Sequence, residues 1–148
     1  MISSQKMTQP TFLLIMIFTL LSFQTQVTAS VPWTCYLTIT KIVSPTYNLN
    51  AAIQKDPLNL NQVLLDFNQL MAALKTPNSA CDLNQDVSPI TITNAVLANQ
   101  TCLNAVISFR PNFQDINHQL NLLNLSYFQQ NSASILGIFN KFKQSCKA

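Results

Sequence analysis

The fold is decided by residues 59–75, NLNQVLLDFNQLMAALK. The apolar side chains of this stretch recur at steps of three and four residues, which places them on one face of an α-helix. Pro57 precedes the pattern and Pro77 follows it, as expected at the two boundaries of a helix. The stretch therefore predicts an amphipathic helix that turns one face towards a core. That face comprises Leu60, Val63, Leu64, Phe67, Leu70, Met71 and Leu74.

The same period continues towards the carboxyl terminus. It predicts helices over about residues 92–109, 112–130 and 132–145. Residues 36–54 are ambiguous, because CYLTITKIV has the composition of a strand but no second strand to pair with. We interpret this segment as mostly helical, with an interruption near Pro45. The sequence thus predicts an all-α, disulfide-bonded bundle of about four to five helices.

Glycine is almost absent, since Gly137 is the only one in 148 residues. Tight β-hairpins depend on residues that adopt positive φ angles, which glycine does most readily. The composition therefore argues against a β-sandwich or barrel. It also excludes the glycine-rich loops that hold nucleotide phosphates, because those motifs need more than one glycine.

Residues 1–29 have the layout of a secretory signal peptide. Lys6 precedes an apolar run over residues 12–23, and Val27-Thr28-Ala29 matches the small-residue rule for signal-peptide cleavage. The alternative is an uncleaved membrane anchor, but the run is shorter than the roughly 20 residues that a span needs. We expect cleavage after Ala29, a single helical domain over residues 30–148, a secreted extracellular protein, and no stable membrane span after cleavage.

The four cysteines, Cys35, Cys81, Cys102 and Cys146, all follow the leader. An even number of cysteines in a small exported chain indicates disulfides. The two arms of an antiparallel helical hairpin favour the pairs Cys35–Cys81 and Cys102–Cys146, although four cysteines allow three pairings. A zinc site is disfavoured, because the chain has no CxxC pair and His118 is its only histidine. We expect neither a metal nor another cofactor.

Two sequons for N-glycosylation occur, NQT at residues 99–101 and NLS at residues 124–126. If the predicted helix over residues 92–109 is unbroken, Asn99 lies in the middle of its apolar face, where no glycan fits. Asn124 lies at the edge of its own apolar face. We therefore expect Asn124 to be glycosylated more fully than Asn99. The alternative is that the helix breaks before Cys102.

The charge pattern and the motifs exclude several functions. Seven basic side chains and five aspartates after residue 29 leave a net charge of about +2, too little for a nucleic-acid surface. The chain contains neither a GxSxG nor an HExxH motif. Asp115 and His118 are one helical turn apart, which favours an exposed ion pair over a catalytic dyad. Three lysines lie near the carboxyl terminus, Lys141, Lys143 and Lys147. We interpret them as complementing the negative end of the last helix dipole, in preference to a contact with a membrane or a glycan. We expect a protein that is not an enzyme.

The remaining hypotheses are two. The first is a secreted, non-enzymatic binding protein for an apolar small ligand, a glycan or another extracellular protein. The second is a secreted signalling or effector protein that acts on a receptor. The leader, the helices and the paired cysteines resemble insect odorant-binding proteins and short-chain helical cytokines in outline. The close C-x-x-x-C pair of the former is missing, and no cytokine motif matches residue by residue, so no site is transferred.

Overall fold

A computed structural model describes residues 33–75, 83 and 87–147. This part of the chain contains helices and no strand, which confirms the all-α prediction. Its six helices are α1 (Trp33–Gln54), α2 (Leu60–Leu74), α3 (Asn94–Leu97), α4 (Gln100–Ser108), α5 (Arg110–Asn121) and α6 (Leu125–Ser145). The proposed leader, with its cleavage after Ala29, lies outside the described residues.

Helix α1 runs through Pro45 without a break, so the interruption predicted there is wrong. A proline inside a helix costs about 3 kcal/mol. Burial of the apolar side chains on either side of it opposes that cost, since Ile39, Ile42, Leu49 and Ile53 are at most 2% exposed. The helical alternative for this segment is otherwise correct.

Helix α2 confirms the prediction from residues 59–75. The Asn59 side chain caps its first turn by accepting a hydrogen bond from the Gln62 amide at 3.1 Å. All seven apolar residues of the predicted face are buried. The Asp66 carboxylate is buried on the same helix and accepts a hydrogen bond from Gln62 at 3.0 Å.

The centre of the bundle is a cluster of phenylalanine rings. Phe142 of α6 stacks on Phe67 of α2 at 4.3 Å between ring centroids. It also stacks on Phe109 at 6.0 Å and meets the edge of Phe113 at 6.1 Å. Phe139 adds an edge contact to Phe67 at 6.2 Å. Aromatic pairs in these geometries add to the free energy gained from burial alone, so α2, α5 and α6 are held together by one continuous contact.

The helix predicted over residues 92–109 is wrong as a single element. It is split into α3 and α4 by Ala98 and Asn99. The Thr93 hydroxyl caps α3 through the Val96 amide at 3.2 Å, and Asn99 Oδ1 caps α4 through the Thr101 amide at 2.9 Å. Threonine and asparagine side chains compete for backbone amides in this way, and they favour a new helix start over a helix interior.

The helix predicted over residues 112–130 is also wrong, because α5 ends at Asn121 and α6 begins at Leu125. The turn is a Schellman motif: the amide of Leu123 donates to the Leu120 carbonyl at 2.9 Å and that of Asn124 to the Gln119 carbonyl at 3.1 Å. Leu123 occupies the left-handed position with φ of 50°, where glycine is usual. The predicted break near residue 131 is absent, since α6 is continuous there.

Arg110 joins the start of α5 to the end of α1. Its Nε donates to the Ile53 carbonyl at 2.8 Å, and its Nη2 donates to the Lys55 carbonyl at 2.8 Å. In return the Gln54 side-chain amide donates to the Arg110 carbonyl at 2.7 Å. A cation at a helix carboxyl terminus also complements the helix dipole, so this single arginine fixes how the two helices meet.

Candidate functional site

The Cys102–Cys146 disulfide is present, as predicted, and it joins the first turn of α4 to the end of α6. The two Cα atoms are 4.5 Å apart, within the range of disulfide geometry. Cys35 is fully buried and its sulfur is engaged in a disulfide. Its predicted partner, Cys81, lies outside the described residues, so the pair Cys35–Cys81 stays a prediction.

A cleft of about 610 Å³ opens beside this disulfide. We call it the bridge cleft. One wall is the extended segment 88–93, and the other wall is the last two turns of α6. The cleft is lined mainly by polar side chains, among them Thr91, Thr93, Asn140, Gln144 and Lys147, with Pro89 and Ile90 as its apolar part.

The extended wall is fixed to α2 by one asparagine. Asn68 donates to the Ile90 carbonyl at 2.9 Å and accepts from the Ile90 amide at 2.7 Å. The Ile90 side chain is only 6% exposed. A side-chain amide that satisfies both backbone groups of one residue replaces the pairing that a neighbouring strand would supply. The wall therefore has a fixed position even though it belongs to no helix.

Several polar groups of the bridge cleft have no partner within the described part of the chain. The amides of Asn140 and Gln144 are exposed and make no hydrogen bond to another described residue, and the same holds for the Thr91 hydroxyl. Asn140 and Gln144 are four residues apart on α6 and therefore share one face of the helix. Each amide offers both donors and an acceptor to a ligand.

Asn99 lies at the end of the bundle that carries the bridge cleft. Its Nδ2 donates to the Lys147 carbonyl at 3.1 Å, one residue beyond Cys146. Its placement in the middle of an apolar helix face is wrong, because the helix breaks at Ala98 and Asn99 becomes the half-buried cap of α4. The alternative of a break before Cys102 is the correct one.

Asn124 caps α6 in the same way and is exposed. Its Oδ1 accepts from the Tyr127 amide at 3.2 Å, and its Nδ2 donates to Gln119 Oε1 at 2.9 Å. The two sequon asparagines are therefore both helix caps. They differ in what holds the side-chain nitrogen, a distant backbone carbonyl for Asn99 and the side chain of the nearby Gln119 for Asn124. The occupancy of both sequons stays a prediction.

A second cleft, of about 320 Å³, lies between α5 and α6. The Tyr127 hydroxyl donates to the Asp115 carboxylate at 2.9 Å on its wall. Burial, together with this hydrogen bond and the negative charge of Asp115, raises the pKa of Tyr127 from 10.0 to about 12. The predicted ion pair between Asp115 and His118 is not formed in the described structure, where both side chains are exposed on α5.

Two chemical features are not found in the described part of the chain. Residues 33–75, 83 and 87–147 hold no group of three or more His, Cys, Asp or Glu side chains that would bind a metal. No helix among them is both long and apolar enough to cross a membrane.

Sequence reasoning missed Asn68 and Arg110, the two residues that fix the bridge-cleft wall and the junction of α1 with α5. Asn68 carries a weak signal, since asparagine is a poor helix former and lies here inside a strongly periodic helix. Arg110 is the only arginine of the chain. Neither signal predicts which backbone group the side chain binds.

No family model, curated protein or solved structure matches the chain. The geometry of the clefts and the chemistry of their side chains therefore carry the functional inference.

Proposed function

We propose that this chain is a secreted, non-enzymatic binding protein and that it binds an extracellular glycan in the bridge cleft. The observation that carries the proposal is the set of amide and hydroxyl groups there that have no hydrogen-bond partner among the described residues, on Asn140, Gln144 and Thr91. Sugar hydroxyls both donate and accept hydrogen bonds, and amide side chains complement both roles. The cleft volume of about 610 Å³ falls within the usual range for ligand sites.

The interior of the bundle supports a surface ligand over an apolar internal one. The central space is occupied by packed phenylalanine rings, with Phe67 and Phe142 stacked at 4.3 Å. Both clefts described above are open to solvent; the bridge cleft is lined mainly by polar groups, and the second cleft by polar and apolar side chains together. An apolar ligand would have to displace core side chains, each of which stabilises the fold by a few kcal/mol.

Secretion is supported by three independent features. The Cys102–Cys146 disulfide belongs to oxidising compartments. The pattern of residues 1–29 fits a cleaved leader, and the two sequons fit passage through the same pathway. The three features agree in compartment.

The absence of catalysis is proposed from the placement of the acids and the histidine. The described lining of the bridge cleft contains no Asp, Glu or His. Asp66 is buried and bonded to Gln62, and Asp115 is bonded to Tyr127. General acid–base catalysis most often uses a carboxylate or a histidine beside the ligand, and the titratable side chains of the described cleft lining are two lysines, Lys143 and Lys147.

The test is binding of neutral and acidic oligosaccharides to the purified secreted protein, measured by calorimetry. Asn140→Ala combined with Gln144→Ala should weaken binding by about tenfold or more, since two hydrogen bonds are lost. The matched control is Asn61→Ala with Gln69→Ala, which removes the same residue types from the exposed side of α2. Failure to bind any oligosaccharide, or equal losses in both double variants, would contradict the proposal.

A second candidate function is a secreted effector that acts on a receptor. The observation that favours it is the pair of exposed leucines at the turn between α5 and α6, Leu122 at 61% and Leu123 at 42% exposure. The test is saturable binding of the protein to cells. This function is favoured over glycan binding if Leu122→Ser with Leu123→Ser abolishes cell binding and the Asn140→Ala/Gln144→Ala variant retains it.

A further inference from the structure

The acceptor nitrogens of the two sequons are held by contacts of different range. Asn99 Nδ2 donates to the backbone carbonyl of Lys147, 48 residues away in sequence. Asn124 Nδ2 donates to the side chain of Gln119, five residues away. The first contact depends on how two distant parts of the chain are joined, whereas the second is local to one turn.

The Cys102–Cys146 disulfide joins those two distant parts. Cys102 lies three residues after Asn99, and Cys146 directly precedes Lys147. The Asn99 Oδ1 atom is engaged by the Thr101 amide at 2.9 Å and the Cys102 amide at 3.4 Å. With the disulfide closed, both polar atoms of the Asn99 side chain are therefore occupied, and its nitrogen faces a carbonyl that a covalent link holds in place.

We propose that the Cys102–Cys146 disulfide controls N-glycosylation of Asn99, which accepts a glycan while the disulfide is open and is protected once it has closed. This inference rests on the proposed passage through the secretory pathway. The glycan reaction forms a bond between Asn99 Nδ2 and the anomeric carbon of a lipid-diphosphate-linked oligosaccharide. The lipid diphosphate leaves with the bonding electron pair, and Nδ2 loses one proton. Disulfide closure removes two electrons and two protons from the two thiols, which a disulfide-donating oxidoreductase of the pathway accepts.

The two modifications therefore compete for the same end of the bundle. When the disulfide is open, nothing covalent keeps the Lys147 carbonyl against Asn99, and the cap of α4 is free to open as helix ends do. When it is closed, modification requires the long-range hydrogen bond from the half-buried Asn99 to the Lys147 carbonyl to break. Asn124 has no such dependence, because its partner Gln119 can rotate away without any change in the fold.

The test measures glycan occupancy at both sequons on the full chain expressed in a secreting eukaryotic cell. Glycopeptides are treated with a glycan-releasing amidase in heavy-oxygen water, and the fraction of asparagine converted to labelled aspartate is read by mass spectrometry. Cys102→Ser with Cys146→Ser should raise occupancy of Asn99 about fivefold, the factor that losing one ordinary hydrogen bond gives. Occupancy of Asn124 should not change. Brief treatment of cells making the unmodified chain with dithiothreitol should raise Asn99 occupancy in the same direction.

Loss of stability alone is separated from loss of the disulfide by Phe142→Ala. This variant removes a ring from the core and leaves both cysteines in place, so it should not raise occupancy of Asn99. An equal rise in Phe142→Ala and in the double serine variant would overturn the inference, and so would unchanged Asn99 occupancy beside a modified Asn124. Absence of glycan at both sequons in every variant would overturn the inference together with the proposed secretion.

Discussion

The two ends of α6 are fixed by different kinds of contact. At its start, Asn124 is held by Gln119, five residues before it, and by Tyr127, three residues after it. At its end, Cys146 is bonded to Cys102, and the following carbonyl accepts from Asn99. Both ends use an asparagine that caps a helix, but the same residue type is local at one end and long-range at the other.

The start of α6 forms from local contacts, whereas its end depends on the whole fold. Contacts within a turn form when that turn forms, so the start of α6 needs little beyond the chain around it. Contacts between residues 44 and 48 positions apart form only once the remaining helices have brought the two segments together. Changes at the end of α6 should therefore alter global stability more than matched changes at its start.

The largest effect should come from removing the disulfide. Cys102→Ser with Cys146→Ser opens a loop with a sequence separation of 44 residues. A closed loop of this length stabilises the folded state by about 4 kcal/mol in the chain-entropy model. Urea unfolding followed by circular dichroism measures the loss. A loss below that caused by any single change at Asn124 would reverse the comparison of the two ends.

The next largest effect is expected from replacing the side-chain nitrogen by an oxygen at each of the two capping asparagines. Asn99→Asp keeps the capping oxygen but loses the donor to the Lys147 carbonyl, and should cost about 1 kcal/mol. Asn124→Asp also loses a donor, but the Gln119 amide can turn over and donate instead, so its cost should be near zero. Both proteins are made without glycan and compared by urea unfolding. Equal losses of stability in the two variants would mean that the hydrogen-bond partner of the side-chain nitrogen does not affect stability.

The apolar face of α2 and the disulfide at the end of α6 were predicted from the sequence. The helical period of apolar residues and the even number of cysteines depend on residue types alone, so both can be read without the structure. Sequence-based prediction failed at both helix junctions. A rotation of 100° per residue assigns Asn99 and Asn124 to positions on the surface of an unbroken helix. In the structure, the side chain of each asparagine instead caps the first turn of a new helix. The bridge cleft could not be predicted, since its wall is fixed by Asn68 binding the backbone of Ile90, 22 residues away. Residue type does not encode that partner.

A smaller effect, with the opposite sign, is expected at the start of α6. Leu123 has φ of 50°, a conformation that costs a residue with a side chain about 1–2 kcal/mol. Leu123→Gly removes that cost and adds backbone entropy to the unfolded chain, so the net gain in stability should be about 0.5–1 kcal/mol. The control is Leu122→Gly, because Leu122 has right-handed helical angles and should lose stability. A loss in both variants would show that the Leu123 side chain contributes more than its backbone costs.

The smallest effect is a pH dependence confined to the start of α6. The pKa of Tyr127 is raised to about 12 by burial and by its hydrogen bond to Asp115, against 10.0 for the free side chain. The folded state therefore keeps the Tyr127 proton more tightly than the unfolded state does. The resulting stability is fully present below pH 10.0 and is lost as the pH rises towards about 12. The slope over this range is compared with that of Tyr127→Phe, which removes the ionisable hydroxyl and keeps the ring. This variant should lose stability less steeply over that range, while the two proteins should have parallel stability profiles below it.

Because Tyr127 is only half-buried, solvent screens the interaction with Asp115 and keeps the difference small. Identical slopes above pH 10.0 would show that the Tyr127–Asp115 contact does not hold the start of α6.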